Sequence, residues 1–380
     1  MLTGSDIVCL SSLRWQSFPT SRHHLARILS ESNRVLYVDP PGSLGRVPPS
    51  RSTLSREGGL IRLAPPPHLP YGGPLRMLLT SSLNQEIYAR AVRGAMKSQS
   101  FVDPIVWNVF PVYSAASLSD RPRSRLEFLH MTDSLWDYPW FGPRYEDALR
   151  RCLERAAFTI GSSPAIVERL SHYGRPAYLL GHGVDVDLFA PVASGDQPVH
   201  PAIENRRRPR IGFMGSVDHR LDVELIVRLA AIGSVTLIGP VASGPTGLER
   251  HELSQLAEAG CFIEGLRSST ELPSWLAGVD VAVVPYRSNS LVRASNPLKL
   301  LDYLAAGLPV VALDIPATRC FEPHLTVAAD RVAFVEEVRR LAALEPDPGL
   351  RRSRHAVAAE QSWRRRAEEL SDLICANRPS

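Results

Sequence analysis

Residues 296–311, NPLKLLDYLAAGLPVV, put a lysine and an aspartate one turn apart near the start of an expected helix. Lys299 is one of two lysines in the chain, the other being Lys97. A cation in the first turn opposes the helix dipole, so its presence there points to a nearby anion such as a phosphate, which the free N–H groups of a first turn also attract. Asp302 can accept hydrogen bonds from ribose hydroxyls. A blander reading fits equally, a capped amphipathic helix with Lys299 and Asp302 in solvent. Asn296 reads as the N-cap, Pro297 as the first helical residue, and Gly307 as a left-handed C-terminal cap with Pro309 just beyond.

A second constellation lies in the segment 126–136, LEFLHMTDSLW. A buried strand there would deliver His130 and Asp133 to its carboxyl end, where parallel sheets place their sites. Either could take the proton of an acceptor hydroxyl. The alternative is a core histidine and a helix-capping aspartate. Trp136, Tyr138, Trp140 and Phe141 follow, and aromatic rings such as Trp136 and Trp140 can stack on sugar faces or hold a lipid. The segment 21–26, SRHHLA, opens the first helix, with Arg22 and His23 as candidate contacts to a phosphate or acceptor, or as a solvated first turn. Asp133 and Asp137 are four apart without a histidine or cysteine at metal-ligand spacing, so neither a bound metal nor a cofactor is expected.

Short apolar runs alternate with helical patterns throughout, the signature of parallel sheets with covering helices. In the first half, strands are expected at 6–11, 34–39, 59–63, 104–108, 125–131, 157–160 and 177–180, with helices at 21–32, 75–97, 143–155 and 164–172. Pro40–Ser52 and Pro65–Pro74 read as loops. The irregular stretch 190–210 has the composition of a linker. A second alternation then starts afresh, with strands at 209–214, 234–238, 261–264, 279–285 and 309–313, helices between them, and a helical tail. The organisation expected is an N-terminal Rossmann-like domain over 1–180, a linker over 181–205, a second such domain over 206–355 and a helix over 356–380 packing back on the first.

A chain of 380 residues exceeds the size at which single cores stop growing. With 44% hydrophobic and 22% charged residues it falls outside the disordered and fibrous classes. No run approaches the roughly 20 apolar residues of a membrane span, and the N-terminus lacks the basic start of a signal peptide. Five scattered cysteines without a CxxC pair fit a reducing cytosol. The first 180 residues carry 21 Lys+Arg against 14 Asp+Glu, the remainder 22 against 25, so net +7 and −3 make up the overall +4. The basic half suits a phosphorylated acceptor or an anionic membrane surface, or is a solubilising arginine surface. No recognition motif for nucleic acid is present.

The segment 296–311 resembles the donor-site signature of GT-B glycosyltransferases of the GT4-like group, and most closely the teichuronic-acid-type bacterial branch. In that family's E-x7-E pattern the second acidic residue, which binds the nucleotide ribose, falls on Asp302. The first falls on Ala294, a departure. The resemblance carries phosphate-contacting backbone onto Asn296, Pro297 and Leu298, although Pro297 has no N–H. Residues 181–189, GHGVDVDLF, resemble the family's interdomain element, and 211–222, IGFMGSVDHRLD, resemble its glycine loop, with Gly215 and Ser216 at the donor and Arg220 supplying charge to the diphosphate. Residues 280–286, DVAVVPY, resemble the strand before the donor loop.

The fold class implied is α/β, GT-B: two facing Rossmann-like doubly wound domains with C-terminal helices. The activity implied is metal-independent transfer of a hexosyl group from a nucleotide-diphosphate sugar to a hydroxyl on a polysaccharide, glycolipid or secondary metabolite. An acceptor that is lipid-linked or phosphorylated, and a cytoplasmic location with peripheral contact at the inner face of the membrane, fit this reading. A nucleotide-sugar epimerase of the same architecture and a non-catalytic partner protein remain the alternatives.

Overall fold

Runs of four or five apolar residues bounded by turn residues set the frame. Such runs bury both faces only in a parallel sheet covered by helices. The computed structural model describes residues 1–16, 19–42, 52–67, 74–113, 126–138 and 141–378, with backbone alone at 74–82 and 113. The chain divides into two compact units, Met1–Gly181 together with Trp363–Ser380, and His182–Ser362.

Unit 1 holds an eight-stranded sheet: β1 (Asp6–Leu10), β2 (Arg34–Val38), β3 (Thr53–Glu57), β4 (Leu60–Ala64), β5 (Ile105–Asn108), β6 (Glu127–Met131), β7 (Phe158–Gly161) and β8 (Ala177–Leu179). Their order is β3-β4-β2-β1-β5-β6-β7-β8, parallel except for β3, which pairs antiparallel with β4. Chain progress reverses direction at β1, so the switch point lies between β1 and β5. On one face Val8, Leu10, Leu36, Val38, Ile61 and Leu63 pack with Tyr88, Val92 and Met96 of the helix Pro74–Ser98.

The helix Trp363–Ala376 also belongs to unit 1 and packs on the first helix, Ser21–Leu29. The Trp363 indole, 5% exposed, stacks on His24 with ring centroids 4.7 Å apart and planes 4° from parallel. Burial first, then the nearby Arg27, holds His24 down at about 4. Trp363→Ala is therefore expected to destabilise unit 1 by about 3–5 kcal/mol and to leave the unfolding of unit 2 unchanged. Urea melts with a unit-specific probe check this.

Unit 2 holds an all-parallel sheet of β9 (Arg210–Met214), β10 (Ser234–Ile238), β11 (Phe262–Gly265), β12 (Val281–Val284), β13 (Val310–Leu313) and β14 (Thr326–Ala328), ordered β11-β10-β9-β12-β13-β14. Its switch point lies between β9 and β12. One contiguous core joins the sheet to its helices.

The stretch read as a linker differs from that reading. It carries the helices Val186–Ser194 and Pro201–Glu204, and Phe189, Val192 and Ile203 are buried in the unit 2 core. Its prolines do not prevent helices: Pro201 occupies a first-turn position where the missing N–H costs nothing, and Pro191 lies inside the helix Val186–Ser194. At the other end the helix Pro348–Ala359 stays with unit 2, and the boundary falls at Trp363, not at 356. Most of the two expected proline-rich loops, 43–51 and 68–73, lies outside the described residues. Among the described residues no helix is long and apolar enough to cross a membrane.

Candidate active site

In unit 2 the candidate donor residues gather at the carboxyl ends of β9 and β12. β9 ends at Met214, whose N–H donates to the Tyr303 hydroxyl at 2.6 Å. Gly215 follows at φ +144°, and a Cβ there would stand 2.7 Å from Lys299 Cε and 2.9 Å from its Nζ. The lysine thus lies directly on a backbone that only glycine permits. Gly239, at φ +151°, follows β10, and its own Cβ would lie 2.1 Å from the Gly215 carbonyl oxygen. Two glycines packed back to back hold this loop.

Lys299 Nζ donates to the Tyr286 hydroxyl and sits 4.9 Å from the Phe213 ring centroid and 4.7 Å from that of Tyr286. Its company is aromatic. Among the described residues no carboxylate forms an ion pair with it. Ser216 is part-buried beside it and spends neither its hydroxyl nor its N–H on a described residue. Asp302, one turn along, is part-buried and its carboxylate accepts no hydrogen bond from a described residue. Desolvation raises its carboxyl to about 7, with Lys299 opposing and the neighbouring Asp185 adding to the rise. A raised carboxyl facing a bare cation over a glycine loop is the perturbed chemistry that functional sites collect.

The local backbone departs from the expected cap. The helix runs Lys299–Ala305, with Leu298 at the cap position and no side-chain cap. Leu300 and Leu301 donate to the carbonyls of Pro297 and Leu298, a tight 3-10 entry. The capping asparagine is Asn289, whose side chain accepts from Val292 N at the head of an unexpected helix, Ser290–Ala294. Ala294 is buried at the end of that helix. Gly307 ends the helix Lys299–Ala305 at φ +70°, with Leu308 N bonded back to the Tyr303 carbonyl.

Arg220 is held by an ion pair within its own loop. Its guanidinium makes a two-pronged pair with Asp218, Nε to Oδ1 at 2.9 Å and Nη2 to Oδ2 at 2.5 Å, and lies over Tyr286 at 5.4 Å. Paired with a buried aspartate, it frames the tyrosine that Lys299 touches. Tyr286, Tyr303 and Gly239 carry the site without having been singled out from sequence. The signal available was an aromatic directly after a buried strand and another four residues after Lys299.

In unit 1 a cavity of about 370 Å³ opens at the carboxyl ends of β1, β5 and β6, the switch point of this sheet. Ser12, Arg22, Phe110, Thr132, Asp133 and Tyr138 are among its lining. Asp133 is exposed and accepts from Thr132 Oγ1 at 3.3 Å. His130 does not line the cavity. It is buried within β6 and stacks on Trp107 at 6.0 Å, because alternation along the strand turns it into the sheet layer.

His23 likewise turns inward. Its Nδ1 faces Thr20 N at 3.1 Å and Thr20 Oγ1 at 3.0 Å, and Nε2 faces the Arg14 carbonyl at 3.0 Å and the Tyr37 hydroxyl at 3.1 Å. It closes a capping box with Thr20 and has no valence left for an acceptor. Trp136 is held by Tyr173, to whose hydroxyl its Nε1 donates at 3.1 Å, and by Arg169 over its face at 4.6 Å. It lies outside the cavity lining, where Phe110 and Tyr138 supply the aromatic surface. Trp140 lies outside the described residues. No three histidine, cysteine, aspartate or glutamate side chains converge among the described residues.

Solved structures share this architecture across nearly the whole chain. Sucrose-phosphate synthase from Thermosynechococcus elongatus superposes with a TM-score of 0.74 at 16% identity, covering 98% of both chains. The trehalose 6-phosphate synthase from Burkholderia multivorans gives 0.73 at 12%, again over 98% of both. The fold is GT-B. Within this GT-B chain, residues 208–343 match the family of glycosyl transferases group 1. TuaH of Bacillus subtilis (strain 168), named for teichuronic acid biosynthesis, is 26% identical over 189 residues, 48% of this chain and 46% of that one. The GDP-mannose-dependent alpha-mannosyltransferase of Mycobacterium tuberculosis (strain CDC 1551 / Oshkosh) is 30% identical over 211 residues, 54% and 51% respectively. The GT-B chain thus spans about half the length of these curated relatives.

Proposed function

We propose that this protein is a glycosyltransferase that moves a hexosyl group from a nucleotide-diphosphate sugar, bound by unit 2, to a hydroxyl of an acceptor bound by unit 1. The observation that carries the reading is the Lys299–Gly215–Asp302 arrangement. A cation without an ion-pair partner among the described residues lies directly on a glycine backbone, and an unpartnered carboxylate stands one turn away where ribose hydroxyls can donate to it. The matched family and the named transferases support the same reading.

In the reaction the acceptor oxygen forms a bond to the anomeric carbon as the bond from that carbon to the diphosphate oxygen breaks. Asp133 takes the acceptor proton. Lys299, with the free Ser216 N–H and hydroxyl, meets the charge that develops on the leaving diphosphate, a positioned electrostatic role that needs no metal ion.

Thermal unfolding against UDP, GDP, dTDP and their common sugars tests this. One nucleotide at a hundredfold excess over its Kd is expected to stabilise the fold by about 2.7 kcal/mol, and Asp302→Ala to abolish the shift. Lys299→Met is expected to weaken binding by about 1.5–3 kcal/mol, the worth of a charge-assisted hydrogen bond. No shift with any nucleotide in folded protein would remove the donor assignment.

A further inference from the structure

The cavity at the switch point of the unit 1 sheet contains a cation that the fold leaves unanswered. Arg22 is 5% exposed. Its two terminal nitrogens donate to neutral hydroxyls, Nη1 to Ser12 and Nη2 to Thr132 at 3.1 Å, and its Nε has no hydrogen-bond partner. No described carboxylate pairs with it. It occupies the second position of the nine-residue helix Ser21–Leu29, which has no acidic residue in its first turn, so the positive end of the helix dipole adds to the charge instead of offsetting it. A guanidinium cannot shed its proton to escape burial, and a buried charge without a partner destabilises the fold. Among the described residues Asp133 is the one carboxylate lining the cavity, and the hydroxyl of Thr132 stands between it and the arginine, accepting from Arg22 and donating to Asp133.

We infer that Arg22 is the anchor for a phosphate monoester carried by the acceptor, so that the substrate class is phosphorylated alcohols or sugars and not neutral ones. The fork of the guanidinium matches phosphate oxygens in a two-point contact. A cavity of about 370 Å³ has room beyond a phosphate for the moiety that bears the reacting hydroxyl. Thr132 ties the anchor to Asp133, so an acceptor held by its phosphate presents its hydroxyl beside the carboxylate assigned to take the proton. The word acceptor rests on the transferase reading; the anion site does not.

The test uses the full chain carrying Lys299→Met, which removes the donor-site cation, with inorganic phosphate, glycerol 3-phosphate and glycerol as probes in calorimetric titration and thermal unfolding. Glycerol 3-phosphate is expected to bind and raise the melting temperature, glycerol to do neither, and addition of Arg22→Met to abolish the effect. Without any anion, Arg22→Met is expected to melt no lower than its parent, since it removes an unbalanced charge. Arg22→Lys keeps the charge but loses the fork, and is expected to bind glycerol 3-phosphate at least tenfold more weakly; it decides the matter if the methionine variant does not fold. Unchanged anion binding in either Arg22 variant would overturn the site. Binding of free phosphate but not of glycerol 3-phosphate, or equal shifts with glycerol, would overturn the acceptor class. The nucleotide panel is read separately, so a failed donor site and a failed anion site give different results.

Discussion

Asp302→Asn should raise the stability of unit 2 at pH 8.5 and leave it nearly unchanged at pH 4, while weakening nucleotide binding at pH 8.5. The carboxyl stands at about 7 in the folded chain against an ordinary value of 3.8, chiefly through desolvation. Between those values the native state binds a proton that the unfolded chain has released, so stability falls as pH rises and the loss is complete above 7. At about 1.4 kcal/mol per pH unit the full cost is up to about 4 kcal/mol. Asparagine has no proton to lose and escapes it. Denaturant melts of both proteins across this range check the sign. A parallel pH dependence in the two would mean that Asp302 is solvated like any surface aspartate. A native carboxylate that costs stability and is kept one turn from Lys299 fits a group maintained for a ligand, in line with the trade between active-site strain and stability.

Gly239→Ala should be among the most damaging single methyl additions in unit 2, at more than about 4 kcal/mol. Its φ of +151° is open to glycine alone, and the added carbon would stand 2.1 Å from the Gly215 carbonyl oxygen. That oxygen is backbone, so relief requires moving the β9 loop. Gly215 is bonded to Ile238 by its N–H at 2.8 Å and lies under Lys299. The donor loop therefore shifts with any relaxation, and nucleotide affinity should fall even in the fraction that folds. Gly260→Ala is the matched control. It too has a positive φ, +73°, but nothing within 4 Å of the added carbon, so it should cost only the left-handed backbone term of about 1–2 kcal/mol. Equal effects of the two changes, measured by urea unfolding, would show that the contact between the glycines is not tight in solution.

The parallel sheets were legible because their strands are buried on both faces and their sequences are continuous apolar runs, as in VAVV of β12 or RVLYV of β2. The strand β3 was not, because TLSRE is exposed throughout and is held only by its ladder with β4. Nor was β14, three residues long. Lys299 could be singled out because a cation in the first turn opposes the helix dipole, with Asp302 one turn further on. Which groups would already be spoken for could not. Asp218 takes Arg220, Thr20 takes His23, and Tyr173 with Arg169 takes Trp136, pairings made by turns and by strand neighbours that hydrophobic periodicity does not specify.

That the N-terminal unit recruits the helix Trp363–Ala376 orders events on the ribosome. The opening helix of that unit cannot receive the cover of Trp363, Leu370 and Ile374 until that segment is translated, after the whole of His182–Ser362. At roughly 5–20 residues per second, the 181 residues of His182–Ser362 take roughly 9–36 s to make, and for that time the first unit lacks its helix and keeps its apolar layer within reach of a chaperone. A nascent chain stopped after Ser362 would emerge with its later half folded and its earlier half lacking that helix.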